Sequence, residues 1–161
     1  MVADRSPAGR DVEIRAISAD DAYPLRRRHL RPSLPPEASR YAGDDHPAAF
    51  HLGAFSGGDL IGAVSFLPGT ERGEIDTRIY QLQAMVTVPT VRNAGVGARL
   101  GEAGIALLEA RGAARVWCDG RSPAASLYER LGFRAVGEEF VTATGPHFRF
   151  VRDLIPACLL Y

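Results

Sequence analysis

The sequence has no lysine, only two cysteines and four histidines, and no long apolar run. Without a segment of about twenty apolar residues, no membrane-spanning helix is expected. Two cysteines do not make the disulfide framework of a small secreted protein, and no cysteine or histidine pair has the spacing of zinc ligands. The formal net charge is +0, so the basic excess of a nucleic-acid-binding surface is missing. These absences predict a cytoplasmic, metal-free enzyme or binding domain without membrane or nucleic-acid partners.

The composition that remains is typical of one folded domain. The chain has 161 residues, of which 46% are hydrophobic and 24% are charged, and this is enough for a single core. Residues 1–11 contain no apolar run, so we expect a flexible tail rather than a secretory signal, and a single domain over residues 12–161. All 19 basic residues are arginine, which excludes a phosphate-binding loop built around a lysine.

Hydrophobic patterning predicts seven strands and three helices. The strands are expected at 12–17, 50–55, 60–67, 78–88, 114–118, 134–141 and 147–154. The helices are expected at 18–31, 95–111 and 122–131, with Ser18 and Ser122 as N-caps. A short segment with two glycines, 56–59, joins the second and third strands as a hairpin.

A long proline-rich segment, residues 32–49, follows the first helix and predicts a loop with one short helical turn. Loops of this length in a compact domain are often functional, and the adjacent Asp44 and Asp45 would suit a cationic amine. Four arginines precede the loop: Arg26, Arg27, Arg28 and Arg31. They could bind an anionic group of a ligand, but a solvated helix face is the simpler expectation.

The segment from the long fourth strand into the second helix is the one that indicates chemistry. Gly95 and Gly97 stand where this helix begins, so a ligand can approach the backbone without meeting a Cβ atom. The first N–H groups of a helix have no partner within it and lie at the positive end of its dipole, which suits a pyrophosphate. A dinucleotide-binding turn would need a third glycine where Leu100 stands, and two glycines that only allow close helix packing are the structural alternative.

Three motifs resemble the GNAT superfamily of N-acetyltransferases in the same order. Arg92-x-x-Gly95-x-Gly97 resembles the signature that binds the pyrophosphate of acetyl-CoA. The preceding run Gln83–Val88 resembles the fourth strand of the family. The run Ala125–Phe133 resembles a helix that commonly carries the catalytic tyrosine, here Tyr128. Together the motifs cover about residues 79–152.

The resemblance implies an α/β (α+β) fold with a mixed, mostly antiparallel sheet of about seven strands, splayed between the fourth and fifth strands, and helices on both faces. It implies acetyl-CoA as co-substrate and an amine of a small molecule or peptide as acceptor. Tyr128 would be the general acid at the leaving sulfur, and the backbone N–H of Val86 or a neighbour would stabilise the oxyanion. The residues implied to bind the co-substrate are Met85, Val86, Arg92, Asn93, Ala94, Gly95, Val96, Gly97, Ala98, Ser126 and Tyr128.

A narrower likeness links the chain to a poorly characterised bacterial branch of the same superfamily. It rests on four short runs, 43–45, 51–54, 116–118 and 145–147. Asp119 departs from this branch, which usually has asparagine after the Trp-Cys pair.

The general base is not identified by the motifs. Many relatives use a glutamate on the fourth strand, where this chain has Gln81 and Gln83, so we expect a water relay. His147 is a candidate base because an imidazole titrates near neutral pH, although a structural histidine is equally compatible with the pattern. Acidic side chains are further candidates, for which solvated surface charge is the simpler interpretation: Asp44, Asp45, Glu138 and Glu139.

Several alternatives remain at the level of sequence. Cys118 lies in a short apolar strand, which favours a buried, inert thiol over an acyl-carrying nucleophile. The domain could bind an acyl-CoA without catalysis, or bind a nucleotide through its glycine turn. The apolar end, 154–161, could pack on the domain or form a homodimer contact.

Overall fold

In a computed structural model, which describes residues 11–91 and 95–154, seven strands form one mixed sheet. The strand order is β1-β2-β3-β4-β5-β7-β6, and within the described residues the β4–β5 pair is parallel while every other neighbouring pair is antiparallel. The strands are β1 (Val12–Ile17), β2 (Phe50–Ser56), β3 (Asp59–Pro68), β4 (Ile79–Thr87), β5 (Arg115–Arg121), β6 (Arg134–Thr142) and β7 (Gly145–Asp153).

Helices cover both faces of the sheet, as the family resemblance implies. They are α1 (Ala19–Leu25), continued by a π-helical turn (Arg26–Leu30), then α2 (Val96–Ala110) and α3 (Ala125–Arg130). One face carries the main core, to which α2 and α3 contribute. On the other face Ala22 of α1 packs against Ala63 and Val86.

The first helix follows its sequence signals closely. The Ser18 hydroxyl accepts from the Asp21 N–H at 3.0 Å, and the Asp21 carboxylate accepts from the Ser18 N–H at 3.0 Å, which completes a capping box. The helix continues through Pro24 into the π-helical turn, where the Arg31 N–H donates to the Arg26 carbonyl at 3.0 Å. The expected short helical turn in the loop is present at Pro36–Ser39.

The third helix begins differently from the prediction. Ser122 does not cap it, because its hydroxyl donates to the Glu139 carboxylate at 2.7 Å. A 3₁₀ turn over Ser122–Ala124 comes first, and α3 then starts at Ala125 without a side-chain cap. The competing carboxylate lies on β6, a contact distant in sequence that a local pattern does not reveal.

Strands β4 and β5 separate along their length, as expected. They pair only from Ile79 to Gln81, opposite Arg115 to Trp117. A bulge then lies in β4. Ala63 of β3 pairs with Val86 and Ser65 pairs with Gln83. Between these two pairs, β4 has two residues, Ala84 and Met85, where β3 has a single residue. Ala84 has a φ of 55°, a conformation that non-glycine residues rarely adopt. The bulge turns the end of β4 away from β5 and opens a gap between them.

Two expected terminal segments lie outside the described residues. They are the flexible tail, except for Asp11, and the apolar end beyond Leu154. Within the described part of the chain, none of the helices is long and apolar enough to cross a membrane.

Candidate active site

A cavity of about 640 Å³ fills the gap between β4 and β5. Its walls come from β4, the start of α2, the ends of β5 and α3, the π-helical turn with the following loop, and the β6–β7 turn. The strands supply the site because they stop pairing there, which leaves backbone groups on the facing edges of β4 and β5 without a strand partner.

The start of α2 forms one wall of this cavity. Gly95 is the N-cap residue with a φ of 81°, and no side chain caps the helix. The first residues of the helix, Val96, Gly97 and Ala98, line the cavity. Their N–H groups belong to the first turn, which has no acceptor within the helix and attracts negative charge. The predicted residues Arg92, Asn93 and Ala94 lie outside the described residues.

The other predicted co-substrate residues that the structure describes lie in the same cavity. Met85 lines it from the bulge of β4, Val86 from the next position along the strand, and Ser126 from α3. The Met85 sulfur would lie 3.7 Å from a Cβ atom added at Gly97, so β4 and α2 meet at this point. The bulge of β4, the start of α2 and α3 thus surround the same cavity.

Tyr128 lies at the bottom of the cavity with a tightly packed ring. The side chain stacks on Phe150 with 4.9 Å between ring centroids and meets Phe133 edge-on at 6.0 Å. Gly120 lies directly beneath, since a Cβ atom there would come 2.3 Å from Tyr128 Cε2. Burial raises the pKa of the Tyr128 hydroxyl, the nearby Cys118 thiol adds to this, and the charge of Arg121 opposes it. The hydroxyl therefore stays protonated at neutral pH and can donate.

His147 also lines the cavity, and its hydrogen bonds define the tautomer of its neutral ring. Its Nδ1 atom lies 2.8 Å from the Gly145 carbonyl, which can only accept, so Nδ1 carries the hydrogen of the neutral ring. Nε2 is then the acceptor nitrogen, and it lies 3.4 Å from the Thr144 hydroxyl. The ring stacks on Phe140 at 5.9 Å. In the neutral ring, Nε2 is therefore the nitrogen whose lone pair can accept a hydrogen bond.

A buried polar network behind the cavity wall corrects two expectations. Arg26 is not part of a solvated face, since only 1% of it is exposed. Its guanidinium makes a bidentate pair with the Asp44 carboxylate at 2.8 and 3.0 Å, so Asp44 is not free to bind a cationic amine. Asp45 is exposed and does not line the cavity. The physical reason is the fold of the loop, which returns to the sheet over the π-helical turn.

Two residues to which the motifs assigned no role, Ser65 and His51, complete this network. The Ser65 hydroxyl accepts from Arg26 Nη2 at 2.8 Å and lies 2.6 Å from His51 Nδ1. His51 Nε2 lies 3.1 Å from the Asp44 carbonyl, so it carries the ring hydrogen and Ser65 donates to Nδ1. The Arg26 guanidinium also lies 4.7 Å from the centre of the Tyr41 ring, which lines the cavity. The available signals were a serine within the apolar run of β3 and a histidine at the start of the run 51–54.

The remaining candidates have other roles or positions. The Asp119 carboxylate lines the cavity but accepts from Arg149 Nε and Nη2 at 2.8 and 3.0 Å. Glu138 and Glu139 are exposed on β6 and do not line the cavity. Cys118 is 1% exposed, and burial raises the pKa of its thiol, so the interpretation as an inert core residue is favoured. In the described ranges, 11–91 and 95–154, no cluster of side chains could hold a metal ion.

Known proteins match both the sequence and the fold. The profile of the acetyltransferase (GNAT) family matches residues 14–133. The uncharacterized N-acetyltransferase YitI of Bacillus subtilis (strain 168) is 32% identical over 144 residues, which are 89% of this chain and 97% of that protein.

Two solved structures are similar in fold at lower identity. An aminoglycoside 6'-N-acetyltransferase in complex with coenzyme A has a TM-score of 0.70 and 15% identity, covering 89% of this chain and 98% of its own. The ribosomal-protein-S18-alanine N-acetyltransferase of Escherichia coli has a TM-score of 0.70 and 19% identity, covering 91% and 96%. The family profile and the curated relative establish that this chain belongs to the GNAT family of acetyltransferases.

Proposed function

We propose that this protein transfers an acetyl group from acetyl-CoA to a primary amine by direct attack, with Tyr128 as the general acid. One observation carries the proposal: the gap between β4 and β5 brings together an uncapped helix start, the unpaired edge of β4 and the Tyr128 side chain in a single cavity. Direct transfer needs both substrates in one place, and much of its rate gain comes from holding them together.

The described residues fit acetyl-CoA, which supplies the reactive thioester when bound. The uncapped first turn of α2 suits the pyrophosphate, with Gly95 and Gly97 leaving its N–H groups accessible. Backbone groups of Met85 and Val86 on the open edge of β4 suit the amide groups of the pantetheine arm. The arm would pair with this edge through main-chain hydrogen bonds, as an added strand does. Arg92, Asn93 and Ala94 belong to the same motif and complete the proposed binding segment.

The acceptor amine must lose a proton to attack the thioester. His147 is positioned to take it, directly or through water, because Nε2 is the acceptor nitrogen of a neutral ring at the cavity wall. Gln83 lines the cavity from β4 and cannot act as a base. The proton therefore leaves towards the β6–β7 turn.

Negative charge develops on the carbonyl oxygen and then on the leaving sulfur. Alternate residues of β4 direct their N–H groups into the gap, so a donor near Val86 can stabilise the oxygen. The Tyr128 hydroxyl is protonated at neutral pH and can donate to the sulfur.

Calorimetric titration with acetyl-CoA tests the co-substrate site. The wild-type protein should bind with a micromolar dissociation constant, and Gly95→Glu and Gly97→Glu should abolish binding because a carboxylate would repel the pyrophosphate. Gly112→Glu is the matched control for Gly95→Glu. It stands at the other end of α2 with a φ of 74° against 81°, and at neither position does an added Cβ atom meet another atom within 4 Å.

The outcomes separate the functions under consideration. Binding by the wild-type protein and by Gly112→Glu, with loss in the other two folded variants, supports the proposal. No binding by the folded wild-type protein refutes it and leaves the glycine turn structural.

A module that binds an acyl-CoA without catalysis is the second candidate function. The observation in its favour is that β4 presents the Gln83 amide, and no carboxylate, to the cavity. Acetyl-CoA binding without turnover over a broad amine panel would favour this module.

A further inference from the structure

Two arginines in the cavity wall lie close to each other and belong to elements other than α2. Arg31 follows the π-helical turn, and Arg121 ends β5 directly opposite His147 in the β5–β7 ladder. Arg121 Nη2 donates to the Leu30 carbonyl at 3.0 Å, which holds this guanidinium beside the residue that precedes Arg31. Both arginines line the cavity.

Their bonding positions these guanidinium groups without neutralising them. Arg31 Nη1 donates to the Ala38 carbonyl at 3.3 Å, and the guanidinium lies 5.0 Å from the centre of the Tyr41 ring. Among the described residues, neither Arg31 nor Arg121 forms an ion pair with a carboxylate. Each keeps further N–H donors for a ligand, since a guanidinium has five.

Negative charge is scarce on the same walls. Asp119 is the one carboxylate among the described lining residues, and Arg149 pairs with it. Asp44 lies near the lining residue Tyr41, but its carboxylate is paired with Arg26 behind the cavity wall. A polycationic acceptor would meet positive charge here and find no free carboxylate in the described part of the wall.

The positive charge also lies close to the reacting groups. Burial raises the pKa of the Tyr128 hydroxyl, and the positive charge of Arg121 opposes this rise. Arg121 therefore acts electrostatically on the proposed general acid. A third arginine of the lining, Arg130, lies on α3 with Ser126, on the side assigned to the co-substrate. Arg31 and Arg121 are therefore the pair that an acceptor would meet.

We infer that the acceptor is a primary amine that also carries an anionic oxygen group, a carboxylate or a phosphate monoester, bound by Arg31 and Arg121. This inference rests on the proposed function and names its substrate class. Guanidinium groups bind carboxylate and phosphate through paired, charge-assisted hydrogen bonds, which fix orientation as well as affinity. The anionic end would fix the acceptor so that its amine lies between His147 and the thioester.

The test compares matched acceptors in steady-state kinetics with saturating acetyl-CoA. The pairs are β-alanine with β-alaninamide, and phosphoethanolamine with ethanolamine, with spermidine and kanamycin as polycationic acceptors. Amidation lowers the pKa of the amine and so favours the amide chemically, which means that a preference for the acid reports recognition. The two pairs separate carboxylate from phosphate as the group recognised.

Arginine variants connect the preference to the proposed residues. Arg31→Gln and Arg121→Gln should each raise KM for the preferred anionic acceptor about tenfold to a hundredfold, as expected for a charge-assisted hydrogen bond. The dissociation constant of acetyl-CoA should change little. Arg→Lys variants should recover part of the loss. Arg28→Gln is the matched control, because Arg28 is exposed on the same π-helical turn and does not line this cavity.

Three outcomes would overturn the inference while the proposed function stands. They are higher kcat/KM for neutral or polycationic amines, turnover of other amines without turnover of either anionic acceptor, and arginine variants that weaken acetyl-CoA binding instead of raising the acceptor KM. Failure of the folded wild-type protein to bind acetyl-CoA would refute the proposed function itself.

Discussion

At the scale of single residues, the position of Tyr128 depends on a glycine in the neighbouring strand. Gly120 leaves the space that the ring fills, and Phe150 and Phe133 hold the ring from two other sides. A tyrosine on an amphipathic helix is most often a core residue, and Tyr128 is indeed 8% exposed. It differs from an ordinary core residue because it also lines the cavity.

Replacing this tyrosine tests the role of its hydroxyl. Tyr128→Phe should lower kcat about a hundredfold or more, since general acid catalysis commonly contributes this much. The dissociation constant of acetyl-CoA should remain nearly unchanged because the ring and its packing are kept. Steady-state kinetics and calorimetry on the same preparation measure both quantities.

Tyr80→Phe provides the matched control. Tyr80 is also buried, and its hydroxyl donates to the Ala48 carbonyl at 3.2 Å, away from the cavity. This variant should keep the wild-type kcat. An unchanged kcat in Tyr128→Phe would contradict the assignment of the general acid.

At the scale of elements, α2 is the piece that links the core to the site. Its start lines the cavity, and its middle packs on β3 through a glycine: a Cβ atom at Gly104 would lie 2.0 Å from Phe66 Cε2. Phe66 is fully buried and stacks on Phe50 at 5.0 Å, so it has little room to move. The close approach fixes the height of the helix above the sheet.

This contact predicts that alanine at position 104 destabilises the protein, whereas helix propensity alone predicts that it stabilises it. Alanine is a better helix former than glycine by about 1 kcal/mol, yet Gly104→Ala should lower the free energy of unfolding by about 1–3 kcal/mol through overpacking. Urea denaturation measures the change. In Gly97→Ala the added Cβ atom makes ordinary contacts at 3.6 and 3.7 Å, so this control should unfold at the same or a higher urea concentration. Equal stability of Gly104→Ala and wild type would contradict the close packing.

At the scale of the whole molecule, the buried network ties the loop of residues 32–49 to the centre of the sheet. Arg26 bonds to the Ser39 carbonyl at 3.1 Å, to Asp44 and to Ser65 of β3, so three distant segments meet at one guanidinium. Burial raises the pKa of Asp44, but the hydrogen bonds from Arg26 and from the Tyr41 N–H and the charge of Arg26 outweigh it, and the pKa lies below its usual value. The stabilisation from this ion pair therefore depends on pH.

The sign of this coupling predicts acid sensitivity. A carboxyl whose pKa is lower in the folded state stabilises the protein above its unfolded pKa of about 3.9, and this contribution disappears as the pH falls through the folded pKa. Asp44→Asn should cost about 3–5 kcal/mol at pH 7 because it leaves Arg26 buried without its ion-pair partner. The difference from wild type should shrink below about pH 4.

Urea denaturation between pH 3 and pH 7 measures this difference. Asp153→Asn removes an exposed ion pair with Arg134 and should cost less than about 1 kcal/mol at any pH. A gap between wild type and Asp44→Asn that stays constant with pH would contradict the role of the Asp44 charge. Where Asp44→Asn fails to fold, wild type alone should lose stability over the same range.

The sequence by itself determined the order of the elements and the place of the site in that order. Local signals were sufficient for this, because the capping box at Ser18, the glycines before α2 and the alternation of the strands act between residues close in the chain. The family resemblance added the splay of the sheet and the proposed role of Tyr128. The structure confirms the fold and places Met85, Ser126, Tyr128 and His147 on one cavity.

The tertiary structure alone decided which charges are available at that cavity. Arg26 and Asp44 stand 18 residues apart in sequence and pair only because the loop folds back onto the sheet. Ser122 contacts Glu139 only because the fold brings β6 next to it. The sequence pattern could not distinguish Arg26, which is buried and neutralised, from Arg31, which faces the cavity. The physical reason is that the burial and pairing of a charge depend on contacts that are distant in sequence, whereas caps, turns and periodicity are local.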